Sequence, residues 1–262
     1  MSVPAGQSAY LVATIARLLH GRRHIAVGAN LPIPASAALL ARRLSAGRMR
    51  LDILGSRKFD SFGGLGGMFD CACQGRFDGF FLSPGQIDGH GNINLVGVGD
   101  YPRLKVRWPG SHGSALLYMM IPNIILFRDT HLKRALVPKV DFISATGTSP
   151  PNVYRPGGPG ALVTSMAHFA FDRAAARFRL ESVHLGHTLD DIVENTGFDF
   201  DRAEQPATTP LPDAQTLDLI EGEVSAAVAE IYPQFAPSLS ESAAALRERI
   251  DKTTRRQEGA NA

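Results

Sequence analysis

"HIAVGANLPIPASAALLARRLSAGRMRLDIL", residues 24 to 54, decides the fold class. It opens with a short apolar run, Ile25 to Val27, that stops at a glycine and so reads as a strand. A helix follows from near Pro34 through "ASAALLARRLSAG", because proline is tolerated in a first turn and Gly47 closes the pattern. Arg42 and Arg43 fall near its end, where cations favour the helix dipole. "MRLDIL" is then a second strand. Strand, helix and strand in that order predict a βαβ unit with parallel pairing.

Upstream, Leu11, Ile15, Leu18 and Leu19 share one helical face over residues 8 to 20. Downstream, "FGGLGGMFD" reads as a glycine-rich loop, and strands are predicted at "DGFFL", "PNIILF", "VDFISA", "GALVTSMAHFAFD" and "ARFRLESVHL". "TSPPNVYRPGGPG", Thr148 to Gly160, is a long exposed loop, since proline and glycine punctuate it throughout. Helical spacing returns in "DAQTLDLIEGEVSAAVAEIY" with Leu217, Ile220, Val224 and Val228. The expected class is therefore α/β, a mostly parallel sheet flanked by helices, with a β-rich middle and a C-terminal helix. One domain is expected over residues 1–232, followed by a polar, flexible tail over 233–262 whose last residues, "KTTRRQEGANA", fray.

A chain of 262 residues buries a full core without disulfide help. Its formal net charge of +2 supplies no global field for nucleic acid or a membrane surface. "ALLYMMIPNIILF" is too short to span a bilayer and is interrupted by Pro122 and Asn123. The N-terminal stretch lacks a basic segment before its apolar run, so a cytoplasmic location is expected. Cys71 and Cys73 are too close in sequence to bridge without strain, and no multi-pair zinc spacing accompanies them, so idle thiols and no metal are expected.

Chemistry concentrates in "SPGQIDGHGNIN", Ser83 to Asn94, which carries more glycine, amide and carboxylate than a hairpin reversal requires. A ligand-contacting loop and an ordinary glycine-rich turn both fit. Asn30, just past the first strand of the βαβ unit, occupies a position where parallel sheets expose ligand-binding loops, and it equally suits a helix cap or a turn. His112 in "PGSHGSA" is a candidate proton shuttle, because imidazole titrates near neutral pH, or else a solvent-facing loop residue.

Four stretches in order, "VGANLPIPASA", "GQIDGHGNIN" with "GDY", "PGSHGSA" and "DDIVENTGFDF", resemble the β subunit of family I coenzyme A transferases, the glutaconate type in particular, over about residues 8 to 232. The resemblance implies an α-type partner, an α2β2 assembly, an acyl-CoA substrate, and no cofactor beyond the coenzyme A of that substrate. It implies substrate-side roles for Gln86 and Asn92 and for the backbone at Gly110 and Gly113, to which Asn30 is added by its place after the strand. In that family a β-subunit glutamate attacks the thioester, splitting one hard exchange into easier steps. The matching stretch here is "LDILGSRKF", which places Leu54 at or beside the glutamate's position. No glutamate occurs between Met1 and Leu180, and Asp52 and Asp60 are the nearest carboxylates. A branch of the family that this chain resembles instead hydrolyses carbon–carbon bonds in cyclic ketone CoA esters of steroid breakdown, with its essential glutamate on the α subunit. Three readings follow: hydrolysis with the partner's glutamate, true CoA transfer, and a non-catalytic subunit that shapes its partner's cleft.

Overall fold

The computed structural model describes residues 6–260, with side chains described as far as Lys252. The chain forms two compact units: one combines the chain up to Ser61 with the chain from Pro210 onward, and the other runs from Phe62 to Thr209.

The first unit begins with α1 (Gln7–Leu18), β1 (His24–Val27), α2 (Pro32–Leu44) and β2 (Arg50–Ile53). β1 and β2 pair in parallel, His24 opposite Arg50 and Val27 opposite Ile53, as the sequence predicts. α2 carries Pro32 and Pro34 in its first turn, where the missing N–H groups would have had no helical partner. Its residues Ile33 to Ala41 are all buried. The helix ends through Ala46 and Gly47, both left-handed, at φ 53° and 77°.

The second unit opens with α3 (Leu65–Cys73), so the expected glycine-rich loop is partly helical, with Gly66 and Gly67 inside the first turn. There follow β3 (Phe80–Leu82), β4 (Gln86–Ile87), β5 (Ile93–Asn94), β6 (Gly97–Val98), β7 (Val106–Arg107), α4 (Ser114–Met120), β8 (Ile124–Phe127), β9 (Pro159–Val163), β10 (Ala167–Asp172), β11 (Arg177–Val183), α5 (Leu189–Asn195) and β12 (Asp201–Thr208). Six of these strands form one sheet in the order β12-β11-β10-β9-β8-β3. The sheet is mixed, with three of its five pairs parallel, β3–β8, β8–β9 and β11–β12, while β10 is antiparallel to both of its neighbours. The cause is connection length. Only residues 164–166 separate β9 from β10 and only 173–176 separate β10 from β11, and a parallel crossover needs about a dozen or more. "VDFISA" is not a strand; its sole ladder contact is an isolated bridge from Ala145 to Ile93.

The chain then returns to the first unit with α6 (Ala214–Leu219), a π-helical turn (Ile220–Val224), α7 (Ser225–Val228) and α8 (Phe235–Ala260). Asp213 caps α6 by accepting from the Thr216 N–H at 2.7 Å. The expected tail from residue 233 is replaced by α8, because Ala236, Leu239, Ala243 and Leu246 recur at helical spacing and are buried. Ser242 Oγ on that helix accepts the Ala9 N–H of α1 at 3.1 Å. Residues 261 and 262, the end of the segment expected to fray, lie outside the described residues. Among the described residues no helix is long and apolar enough to cross a membrane.

Candidate functional site

In the first unit, the carboxyl ends of β1 and β2 carry the residues singled out from sequence. Asn30 is exposed and left-handed at φ 57°. It does not cap α2, whose cap position is Leu31 with no side-chain bond. The Leu31 N–H instead donates to the Tyr232 hydroxyl at 3.1 Å. Leu54 follows β2, half-buried, and its N–H continues the ladder to the Val27 carbonyl at 3.0 Å.

Each carboxylate around Leu54 is already engaged. Asp52, 1% exposed, accepts the Ser61 hydroxyl at 2.6 Å and the Ser61 N–H at 3.0 Å, and pairs with His24 Nε2 at 2.6 Å. Burial opposes its charge, but the hydrogen bonds from Ser61 and His24 outweigh that, so its pKa falls below the ordinary aspartate value. Asp60 Oδ2 accepts the Gly55 N–H at 3.4 Å. A third carboxylate arrives from far along the chain: Glu230 accepts the Ser56 hydroxyl at 2.8 Å and the Arg57 N–H at 2.6 Å. The Arg57 amide and the Ser56 hydroxyl together hold Glu230 below the usual carboxylate range. A carboxylate stabilised as an anion in this way is a poorer nucleophile than a free one. Glu230 had no signal in the sequence, since 174 residues separate it from Ser56.

In the second unit, Gln86 to Asn94 form a two-stranded hairpin, β4 against β5, with Asp88 buried at its tip. Asp88 Oδ1 accepts the His90 and Asn92 N–H groups, and its Oδ2 accepts Asn92 Nδ2 at 3.0 Å. Both amides are engaged within the loop and its neighbours. Gln86 is 4% exposed, and its Oε1 accepts from Asn94 Nδ2 at 2.8 Å and from the Asp141 N–H at 3.0 Å. Asn92 spends Nδ2 on Asp88 and Oδ1 on the Gly147 N–H at 3.1 Å. Gln86 Oε1 and both polar ends of the Asn92 side chain hold the loop in shape.

The segment at Gly110 to Gly113 is different. Gly110, His112 and Gly113 all have positive φ, at 107°, 43° and 82°, and His112 and Gly113 are exposed. Backbone of this kind is what anion-binding concavities of N–H groups are built from. His112 Nδ1 lies 3.3 Å from the Gly110 carbonyl, a weak local bond. A histidine in the left-handed region carries strain that glycine avoids, so His112→Gly is expected to raise stability by up to about 1 kcal/mol, or leave it unchanged. Thermal unfolding checks this; a lowered midpoint would mean that the imidazole makes contacts worth more than the strain.

Cys71 and Cys73 are free thiols, and no cluster of His, Cys, Asp or Glu among the described residues is arranged to hold a metal.

Residues 3–195, well over half of the chain, match a family model described as Coenzyme A transferase. The B subunit of glutaconate CoA-transferase from Acidaminococcus fermentans is 29% identical over 80% of this chain and 89% of that protein. The B subunit of 3-oxoadipate CoA-transferase from Pseudomonas knackmussii is 32% identical over 58% of this chain and 62% of that protein. The IpdB subunit of the cholesterol ring-cleaving hydrolase from Rhodococcus jostii is 28% identical over 58% and 61% respectively, so the chain spans about three fifths of the last two relatives. The crystal structure of Rhodococcus jostii IpdAB superposes with a TM-score of 0.72 at 23% identity, covering 82% of this chain and 93% of that one, a likeness of fold.

Proposed function

Because the chain belongs to the coenzyme A transferase family, we propose that it is the β-type subunit of an α2β2 assembly that hydrolyses a cyclic ketone CoA ester, with the catalytic carboxylate supplied by its α-type partner. The observation that carries this reading is the hydrocarbon at Leu54 combined with the engagement of Asp52, Asp60 and Glu230 around it. CoA transfer through this chain needs a carboxylate that can attack a thioester carbonyl and form an anhydride. Each local carboxylate would first have to give up hydrogen bonds that stabilise its charge. Hydrolysis asks less of this chain. The partner's carboxylate takes a proton from water, the water oxygen bonds to the ring carbonyl carbon, and the adjacent carbon–carbon bond breaks. Its electron pair moves onto the carbon beside the thioester as an enolate, which is then protonated. Backbone N–H groups in the Gly110–Gly113 segment are suited to the developing oxyanion. The relative named as a ring-cleaving hydrolase subunit supports this chemistry.

True CoA transfer is the second reading, favoured by the transferase names of the other two relatives. One experiment separates the two. The chain, purified with its α-type partner, is incubated with a cyclic ketone acyl-CoA in oxygen-18 water without an acceptor acid. Hydrolysis predicts oxygen-18 in the new carboxylate, and borohydride or hydroxylamine treatment should leave this chain unlabelled. Turnover that requires an acceptor acid, with label on a carboxylate of this chain, would establish transfer in its place.

A further inference from the structure

The first unit has a second concave site at the opposite edge from Asn30 and Leu54. The connections entering β1 and β2, residues 19–23 and 45–49, enclose a cavity of about 820 Å³ between the carboxyl ends of α1 and α2. Its lining contains Arg17, Arg22, Arg23 and Arg48 together with His20, and it contains no acidic residue. The whole chain has a formal charge of only +2, so the rest of the molecule is net negative and these four arginines are a local concentration.

Two effects compete to explain them. Cations are favoured at helix carboxyl ends, but each helix terminus presents only about half a negative charge, so two helices offset roughly one of the four guanidinium charges. Leaving Arg23 out of the count, Arg17, Arg22 and Arg48 still leave about two positive charges in one concavity. Arg17 sharpens the point: it is exposed to the cavity, and its guanidinium bonds are to the Thr14 hydroxyl at 3.2 Å and the Pro210 carbonyl at 2.7 Å, with no carboxylate partner among the described residues. Desolvation destabilises its charge and lowers its pKa. An anion entering the cavity would offset that cost.

The remaining surface is apolar. Leu19 and Met49 are buried at the floor, and Leu44 stays 53% exposed at the rim, an unusual place for leucine beside so many charges. Guanidinium forks match phosphate oxygens bidentately and stack on flat rings, and the volume falls in the ordinary range for small-molecule sites.

We propose that this cavity binds an organic phosphate of nucleotide type, its phosphates held by Arg17, Arg22 and Arg48 and its ring laid against the exposed Leu44. In open parallel sheets reacting ligands sit at the carboxyl ends of the strands, so a ligand at this opposite edge is placed to regulate or stabilise and not to react. The site is independent of how the acyl-CoA is processed.

The test uses the complex with the α-type partner and titrates ADP, ATP and inorganic phosphate by calorimetry. The same titrations are made on the Arg22→Glu/Arg48→Glu double variant, in which both changed residues are exposed and neither belongs to the candidate acyl-CoA site. The expected results are tighter binding of ATP than ADP, inorganic phosphate weaker than both, and a loss of at least tenfold for ATP in the variant at an unchanged thermal midpoint. Binding should weaken steeply with added salt. Absence of nucleotide binding, equal ATP affinity in the variant, or tighter binding of a polyglutamate peptide than of ATP would each overturn the proposal, the last by making the cavity a dock for an acidic protein segment. Oxygen-18 incorporation is read separately, so failure of this site leaves the catalytic reading untouched.

Discussion

Gly147→Ala is expected to destabilise the second unit by about 3 kcal/mol, the upper part of the range for overpacking a closed interior. For a chain of this size, that lowers the thermal midpoint by roughly 6–12 °C. A Cβ at this position would overlap the His90 carbonyl oxygen and come within 2.8 Å of the Gly91 carbonyl carbon and 2.9 Å of its Cα. These are backbone atoms, and they have nowhere to go. The Asp88 carboxylate holds the His90 and Asn92 amides, Tyr118 Oη donates to the Gly91 carbonyl at 2.7 Å, and Asn92 Oδ1 takes the Gly147 N–H itself. Backbone conformation is not the obstacle, since Gly147 does not have positive φ. Gly66→Ala is the matched control: it lies in the first turn of α3, has nothing within 4 Å of its would-be Cβ, and has no positive φ. That variant is expected to gain up to about 1 kcal/mol, because alanine loses less entropy than glycine in a helix. Differential scanning calorimetry of both variants decides the matter. Equal midpoints would mean that the His90–Gly91 loop yields easily and is not the rigid support described here.

The contrast between those two glycines shows what the sequence could disclose. The βαβ unit was legible because strand and helix periodicities are local and Pro34 and Gly47 mark the helix within a few residues. The turn between β9 and β10 was not, since "TSM" carries no glycine or proline. It is made by the Thr164 hydroxyl, which accepts the Met166 and Ala167 N–H groups. Reading that stretch as one strand conceals the antiparallel pair of β9 and β10. The alanine-rich segment after residue 233 looked like a tail by composition, although Leu239, Ala243 and Leu246 lay at helical spacing all along. Among the candidate residues of each unit, residue types are visible in the sequence and partners are not. Gln86 is satisfied by an amide 55 residues away, and the Leu54 loop by a glutamate from the other end of the chain. Long-range pairing of this kind leaves no periodic trace.

Stability of the second unit is expected to fall as the pH drops from about 6.5 to about 4, and His131 is the reason. The ring is 1% exposed, with Nδ1 2.7 Å from Thr164 Oγ1 and Nε2 2.9 Å from Thr196 Oγ1. Both hydroxyls also reach a carbonyl, Thr196 that of Ile192 at 2.7 Å and Thr164 that of Ala167 at 3.2 Å, so the ring is held at both nitrogens by side chains that are themselves fixed. Burial, aided by the neighbouring charge of His187, pushes the imidazole pKa down to about 4 from an ordinary 6.5. Between those two values the unfolded chain binds a proton that the folded chain refuses, so falling pH favours unfolding; below the folded value the penalty is constant. A shift of that size corresponds to roughly 3 kcal/mol across the window. Asp52 acts later and in the first unit. Its lowered pKa makes its contribution complete above the ordinary aspartate range, and that contribution is lost only as pH falls through the folded value. Urea unfolding at half-unit steps from pH 7 to 3.5 should therefore show a slope between 6.5 and 4 that His131→Asn removes, even though the variant starts less stable at pH 7. An identical slope in the variant would assign the acid sensitivity to other groups and return the His131 ring to a purely packing role.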